Sequence, residues 1–197
     1  MLHHLETVAK VIGPAFVALL MSASAAFTAE CPRKGTLGTS RILTVDATTT
    51  PRVGLRSFPQ TLPLEDHEVV LTFDDGPFPP TTLRVLAALA HECVRATFFL
   101  IGKNALENPQ IVQKTAAEGH TIGHHSWSHR SLKRSNVSEA VAEIGRGIAA
   151  DEQALHGVAT STPSTPFFRF PGFESTPALL DLLQSRGIVV FGADFCQ

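Results

Sequence analysis

Three short stretches hold the side chains able to do chemistry. Thr72-Phe73-Asp74-Asp75-Gly76-Pro77 places two carboxylates side by side. Gly123-His124-His125-Ser126-Trp127-Ser128-His129 places two imidazoles, His125 and His129, four residues apart, with His124 beside them. Phe167-Phe168-Arg169-Phe170-Pro171-Gly172-Phe173 sets one guanidinium among aromatic rings. Adjacent buried carboxylates are costly unless something positive pairs with them. Both reach one place only if the chain turns between them, and Gly76-Pro77 supplies turn chemistry. The plain alternative is an Asp-rich turn that caps the next helix. Histidines four apart share one face of a helical turn, which suits two ligands to one metal. A carboxylate from elsewhere completes three protein ligands and leaves a position open for water. The plain alternative there is a polar loop with incidental histidines. An Arg in an aromatic strand needs a carboxylate partner or a route to solvent, and the two aspartates offer the first. Taken together, the three clusters form a hydrolytic metal site more readily than three coincidences. A serine nucleophile is disfavoured because no G-x-S-x-G elbow occurs. No G-x-x-x-x-G-K-[ST] phosphate loop occurs either.

Each cluster lies just after an expected strand, the edge where parallel α/β folds bind ligands. Val69 to Phe73 is a continuous apolar run, as in a strand buried on both faces. Further strands are expected at Ala96 to Ile101, Thr121 to Gly123, Phe167 to Phe170 and Ile188 to Phe191. Helices are expected over Thr81 to Glu92, Ile111 to Glu118 and Val137 to Leu155, the last weakened by Gly145 and Gly147. A final helix starts at Thr176-Pro177 and ends at Gly187. This alternation makes the chain α/β with parallel strands and right-handed crossovers.

The 197 residues match one domain, and 44% hydrophobic with 17% charged residues give a globular core. A net charge of −2 excludes the polycationic face of a nucleic-acid binder. Cys31, Cys93 and Cys196 are too few for a disulfide scaffold. Lys10, the apolar run Val11 to Met21 and Ala23-Ser24-Ala25 read as a cleaved signal peptide over residues 1–25. An uncleaved anchor is the alternative; Gly13, Pro14, Ser22, Ser24 and Thr28 dilute it. The chain is therefore expected to be exported, periplasmic or extracellular, with no stable membrane span after cleavage. Residues 26–67 read as an irregular N-terminal arm and residues 68–197 as the domain proper.

The three clusters resemble, in order and type, the first three motifs of the polysaccharide deacetylase family, also called carbohydrate esterase family 4 or the NodB homology domain. The resemblance implies a distorted (β/α) barrel and metal-dependent hydrolysis of N-acetyl or O-acetyl groups on carbohydrate polymers, such as chitooligosaccharide or peptidoglycan. It implies that Asp75, His125 and His129 hold a divalent metal, usually zinc. Asp74 becomes the general base and Arg169 its partner. The family's Tyr, whose backbone N–H meets the oxyanion, is replaced by Gly172, which keeps the N–H and loses the ring.

The family pattern continues with an Asp/Trp motif and a Leu-x-x-His motif whose histidine protonates the leaving amine. Neither follows here, and no histidine comes after His156. The barrel is thus expected to be incomplete at its C-terminal end, with the apolar strands near Phe167 to Phe170 and Ile188 to Phe191 short of neighbours. Two alternatives to an active deacetylase stay open: a weakly active or inactive member that keeps metal or glycan binding, and an exported non-catalytic α/β binding protein.

Overall fold

The computed structural model describes residues 34–195. The expected signal segment, Cys31 and Cys196 lie outside them. Cys93 is disulfide-bonded.

Six parallel strands form one sheet in the order β1-β6-β5-β4-β3-β2. They are β1 (Arg52–Val53), β2 (Thr72–Asp74), β3 (Thr97–Leu100), β4 (Thr121–His124), β5 (Phe167–Phe168) and β6 (Val189–Phe191). The helices are α1 (Pro79–Glu92), α2 (Gly102–Glu107), α3 (Pro109–Ala117), α4 (Val137–His156) and α5 (Pro177–Ser185). None of these is long and apolar enough to cross a membrane.

Side-chain alternation sorts two layers. Phe98 and Leu100 of β3 pack outward against Leu86, Leu89 and Val112. Phe99 between them faces inward with Val189 and Phe191 of β6. Gly123 of β4 makes room for the Phe99 ring, since a Cβ there would lie 2.7 Å from it. On the outer face, Ile144 and Ile148 of α4 meet Phe168, Leu183 and Val190.

The sheet is curled. From β5 to β2 is three strand spacings of about 4.8 Å, beyond an arginine's reach on a flat sheet. Yet the Arg169 guanidinium, just after β5, donates to Thr72 and Asp74 of β2. The architecture is the expected α/β barrel type, open between β1 and β2. Val45, Ala47 and Leu62 of the N-terminal arm cover part of its inner face.

Several expectations are corrected. The stretch read as an irregular arm contains β1, which pairs with β6. Helix α2 was not anticipated, because six residues hold too little periodicity to show. The strand expected over Val69 to Phe73 is regular only from Thr72, and Val69, Val70 and Leu71 are exposed. Their run looked doubly buried, but β2 is an edge strand and one flank has no neighbour among the described residues. Conversely, Phe168, Phe170, Ile188, Val189 and Val190 are all buried, not left bare. A cleft of about 310 Å³ opens beside β2, lined by Leu62, Val69, Leu71, Arg169, Phe191 and Asp194.

Candidate active site

Parallel pairing in register brings the C-terminal ends of β2, β4, β5 and β6 to one edge: Asp74 pairs with Phe99, Leu100 with His124, His124 with Phe168, and Phe168 with Val190. The residues that follow these ends are Asp75, His125, Arg169 and Gly192.

The turn that aims both carboxylates is made at Asp75 itself, whose φ is +71°; Gly76 keeps a negative φ. Aspartate tolerates this left-handed conformation better than most residues. Asn104 of α2 donates to the Asp75 carbonyl at 2.8 Å, and Ile101 N–H donates to the Gly76 carbonyl at 3.0 Å. The unanticipated helix thus holds the turn.

His125 and His129 do not lie on a helix. They bracket a loop in which Ser126 and His129 have φ of +68° and +58°. Both imidazoles still converge. One oxygen of Asp75, Oδ1, lies 3.5 Å from His125 Nε2 and 3.2 Å from His129 Nε2. The three ligand atoms lie within 4.8 Å of one another. In tetrahedral coordination at 2.0–2.1 Å, neighbouring ligand atoms stand about 3.3 Å apart. The donor set and two of its edges therefore fit a zinc-sized ion.

Buried His125 supports the same reading. Its Nδ1 lies 2.7 Å from the Arg169 carbonyl. A carbonyl only accepts, so Nδ1 carries the proton and Nε2 turns its lone pair toward Asp75. The Asp75 carboxyl is held below its usual range by the two imidazoles beside it, His125 first and then His129, against the opposing effect of its partial burial. Asp75 and His129 are 52% and 41% exposed, so the cluster opens to solvent on one side.

Arg169 is 4% exposed and fully engaged. It donates from Nη1 to Asp74 Oδ1 at 2.7 Å and Thr72 Oγ1 at 2.8 Å, and from Nη2 to the Gly192 carbonyl at 2.7 Å. Nε donates to the Phe191 carbonyl at 3.3 Å, and the guanidinium lies 4.2 Å from the Phe99 ring centre. Asp74 Oδ2 has no hydrogen-bond partner among the described residues, and the side chain is 27% exposed.

Gly172 sits in a turn of 3₁₀ type over Pro171–Phe173 with φ of +63°. Phe173 follows, and the Arg169 guanidinium lies 5.5 Å from its ring centre, so an aromatic ring returns one residue late. His124 faces away from the cluster: its Nδ1 lies 2.7 Å from Asp151 of α4. Burial pushes that aspartate up to about 6, and the bond to His124 pulls against it.

A family profile described as polysaccharide deacetylase matches residues 62–191. The chain belongs to the polysaccharide deacetylase family. The peptidoglycan-N-acetylglucosamine deacetylase of Bacillus cereus is 48% identical over 77 residues, which cover 39% of this chain and 28% of that protein. The chitooligosaccharide deacetylase of Sinorhizobium fredii is 43% identical over 83 residues, covering 41% and 39%. The matched part of this family member therefore spans well under half the length of either relative. The solved Bc1960 peptidoglycan N-acetylglucosamine deacetylase superposes with a TM-score of 0.63 at 29% identity, covering 73% of this chain and 62% of that one. A peptidoglycan deacetylase of Bdellovibrio bacteriovorus gives 0.66 at 29% identity, covering 82% and 42%.

Sequence reasoning missed three residues around the site: Asn104, which holds the Asp75 turn; Glu143, which accepts from Ser128 N–H at 3.1 Å in the loop between the histidines; and the packing of Gly147, where a Cβ would stand 2.5 Å from the Ser126 carbonyl carbon. Asn104 could have been flagged by its place just past the end of β3. Nothing in the spacing marks Glu143.

Proposed function

We propose that this chain is a zinc-dependent hydrolase that removes acetyl groups from an exported glycan polymer. The observation that carries the reading is the single Asp75 oxygen shared by His125 and His129 beside an Asp74 anchored by Arg169. Asp75, His125 and His129 would hold the ion. A divalent metal there supplies Lewis acidity, which polarises the acetyl carbonyl and makes water more acidic.

The rest is the work of this chain's residues. Arg169 takes Asp74 Oδ1 and so fixes the carboxylate, leaving Oδ2 to accept a proton from attacking water. The water oxygen bonds to the carbonyl carbon. The oxyanion that develops is met by the Gly172 backbone N–H. The carbon–nitrogen bond then breaks, and the proton held by Asp74 passes to the departing nitrogen. Acetate and a free amine result. On an O-acetyl group the same sequence releases an alcohol.

The substrate class follows from the named relatives, which act on peptidoglycan N-acetylglucosamine and on chitooligosaccharide. N-acetylglucosamine in a β-linked polymer is common to both. Such polymers lie outside the cytoplasm, which agrees with the apolar N-terminal run of the sequence.

The test is zinc stoichiometry followed by acetate release from N-acetylglucosamine oligomers and from peptidoglycan. One zinc per chain and zinc-restored acetate release are expected. Binding of glycan and zinc without acetate release would leave a binding protein in place of a hydrolase.

A further inference from the structure

The two imidazoles are held by different means. His125 is buried and has the Arg169 carbonyl behind it. His129 is 41% exposed; its ring meets Asp75 and lies 5.0 Å from the His125 ring, and its backbone N–H donates to Ser126 Oγ at 3.1 Å, so its direction depends on the loop that carries it. That loop contains two residues with left-handed backbone, Ser126 and His129, and neither is glycine. Such conformations persist only where the surroundings impose them.

Two elements supply those surroundings: the start of α2, whose Gly102 and Lys103 N–H groups donate to the Ser126 and Trp127 carbonyls at 3.0 Å each, and one turn of α4. Glu143, 13% exposed, accepts from Ser128 N–H at 3.1 Å and from the Ser128 hydroxyl at 3.0 and 3.2 Å. Its main-chain carbonyl accepts from Trp127 N–H at 3.1 Å. One turn later, Gly147 lets the loop touch the helix backbone: a Cβ there would stand 2.5 Å from the Ser126 carbonyl carbon and 2.8 Å from Trp127 N. Between them the Arg146 guanidinium lies 3.7 Å from the Trp127 ring centre. Among the described residues, Glu143 is the one carboxylate that bonds to the loop between the two histidines, and charge-assisted bonds are the strong ones.

We propose that Glu143 is a positioning residue for the metal centre: by holding Ser128 and Trp127 against α4, it sets the angle at which His129 meets Asp75. The inference rests on the zinc reading above. Outer-shell partners of this kind usually change metal affinity 10–100-fold.

The test uses the full chain, a zinc competition titration and the visible spectrum of the cobalt-substituted protein. Glu143→Ala is expected to weaken zinc binding about 10–100-fold and to alter the cobalt bands. Glu143→Gln keeps an acceptor oxygen for Ser128 N–H and is expected to recover most of that loss. Ser128→Ala carries the test if Glu143→Ala does not fold, with a smaller loss in the same direction. Lower thermal stability with wild-type zinc affinity and wild-type cobalt bands would overturn the proposal, because Glu143 would then be a purely structural anchor. Failure of the wild-type chain to bind zinc would instead overturn the metal reading itself, and the inference with it.

Discussion

Arg169→Met removes the guanidinium that joins β2, β5 and β6 while keeping an apolar stem over Phe99. Its loss strands three kinds of acceptor: the Asp74 carboxylate, the Thr72 hydroxyl, and the Gly192 and Phe191 carbonyls. Breaking a buried ion pair costs about 3–5 kcal/mol. Asp74 is 27% exposed and can recruit water, so the lower end of that range applies to the pair. An unsatisfied carbonyl at Gly192 adds about 1–3 kcal/mol. The sum is about 4–6 kcal/mol, a large share of a domain's total stability. At about 2–4 °C per kcal/mol for a domain of this size, Tm should fall by roughly 8–24 °C. Arg169→Lys keeps one charge but loses the fork, and should fall between that variant and the wild type. The assay is thermal and urea unfolding, read beside zinc titration. His125 leans on the Arg169 main-chain carbonyl, which neither substitution removes, so zinc affinity should stay close to wild type while acetate release collapses. A loss below about 1 kcal/mol for Arg169→Met would refute the network's assigned role. So would wild-type acetate release by Arg169→Lys.

Two glycines of α4 should respond oppositely. Gly147→Ala drives a Cβ into the Ser126 and Trp127 backbone, and should lower both Tm and zinc affinity. Gly145→Ala meets nothing within 4 Å, and should raise stability by about 0.5–1 kcal/mol in denaturant unfolding. The buried Asp151 supplies a pH test. Its carboxyl is raised by burial from 3.8 to about 6, so the folded state binds the proton more tightly than the unfolded chain. Its contribution is complete below the unfolded value and is lost as pH rises through about 6. Asp151→Asn cannot ionise, and should flatten that part of the stability–pH curve when Tm is measured from pH 4 to pH 8.

Much of the site could be read from residue types before any geometry. Asp75, His125 and His129 do converge, and Arg169 does reach Asp74. The device that brings the histidines together could not be read. Four-residue spacing implies a helical turn, whereas the loop uses left-handed Ser126 and His129 held by α4, contacts about fifteen to twenty residues away in sequence. Local periodicity carries no information about such partners. Gly147 shows the same limit. In a helix it looks like a weakness of about 1 kcal/mol, and only the loop pressed against it explains why a side chain is excluded there. The apolar runs misled in the other direction. Val69–Leu71 and Ile188–Phe191 have similar composition, yet only the second is flanked by β1 and β5 and buried. Strand order decides burial, and it is a property of the whole sheet.

The split between two neighbouring carboxylates is the central claim: Asp75 as ligand, Asp74 as base. It is tested most directly by acetate release from zinc-loaded Asp74→Asn, with zinc content measured on the same sample. Asparagine keeps an acceptor for Arg169 but cannot take a proton from water at neutral pH. The expected result is one zinc per chain and a rate about 10²–10⁴-fold below wild type. Acetate release at the wild-type rate by Asp74→Asn, or a wild-type rate untouched by removal of zinc, would contradict the account.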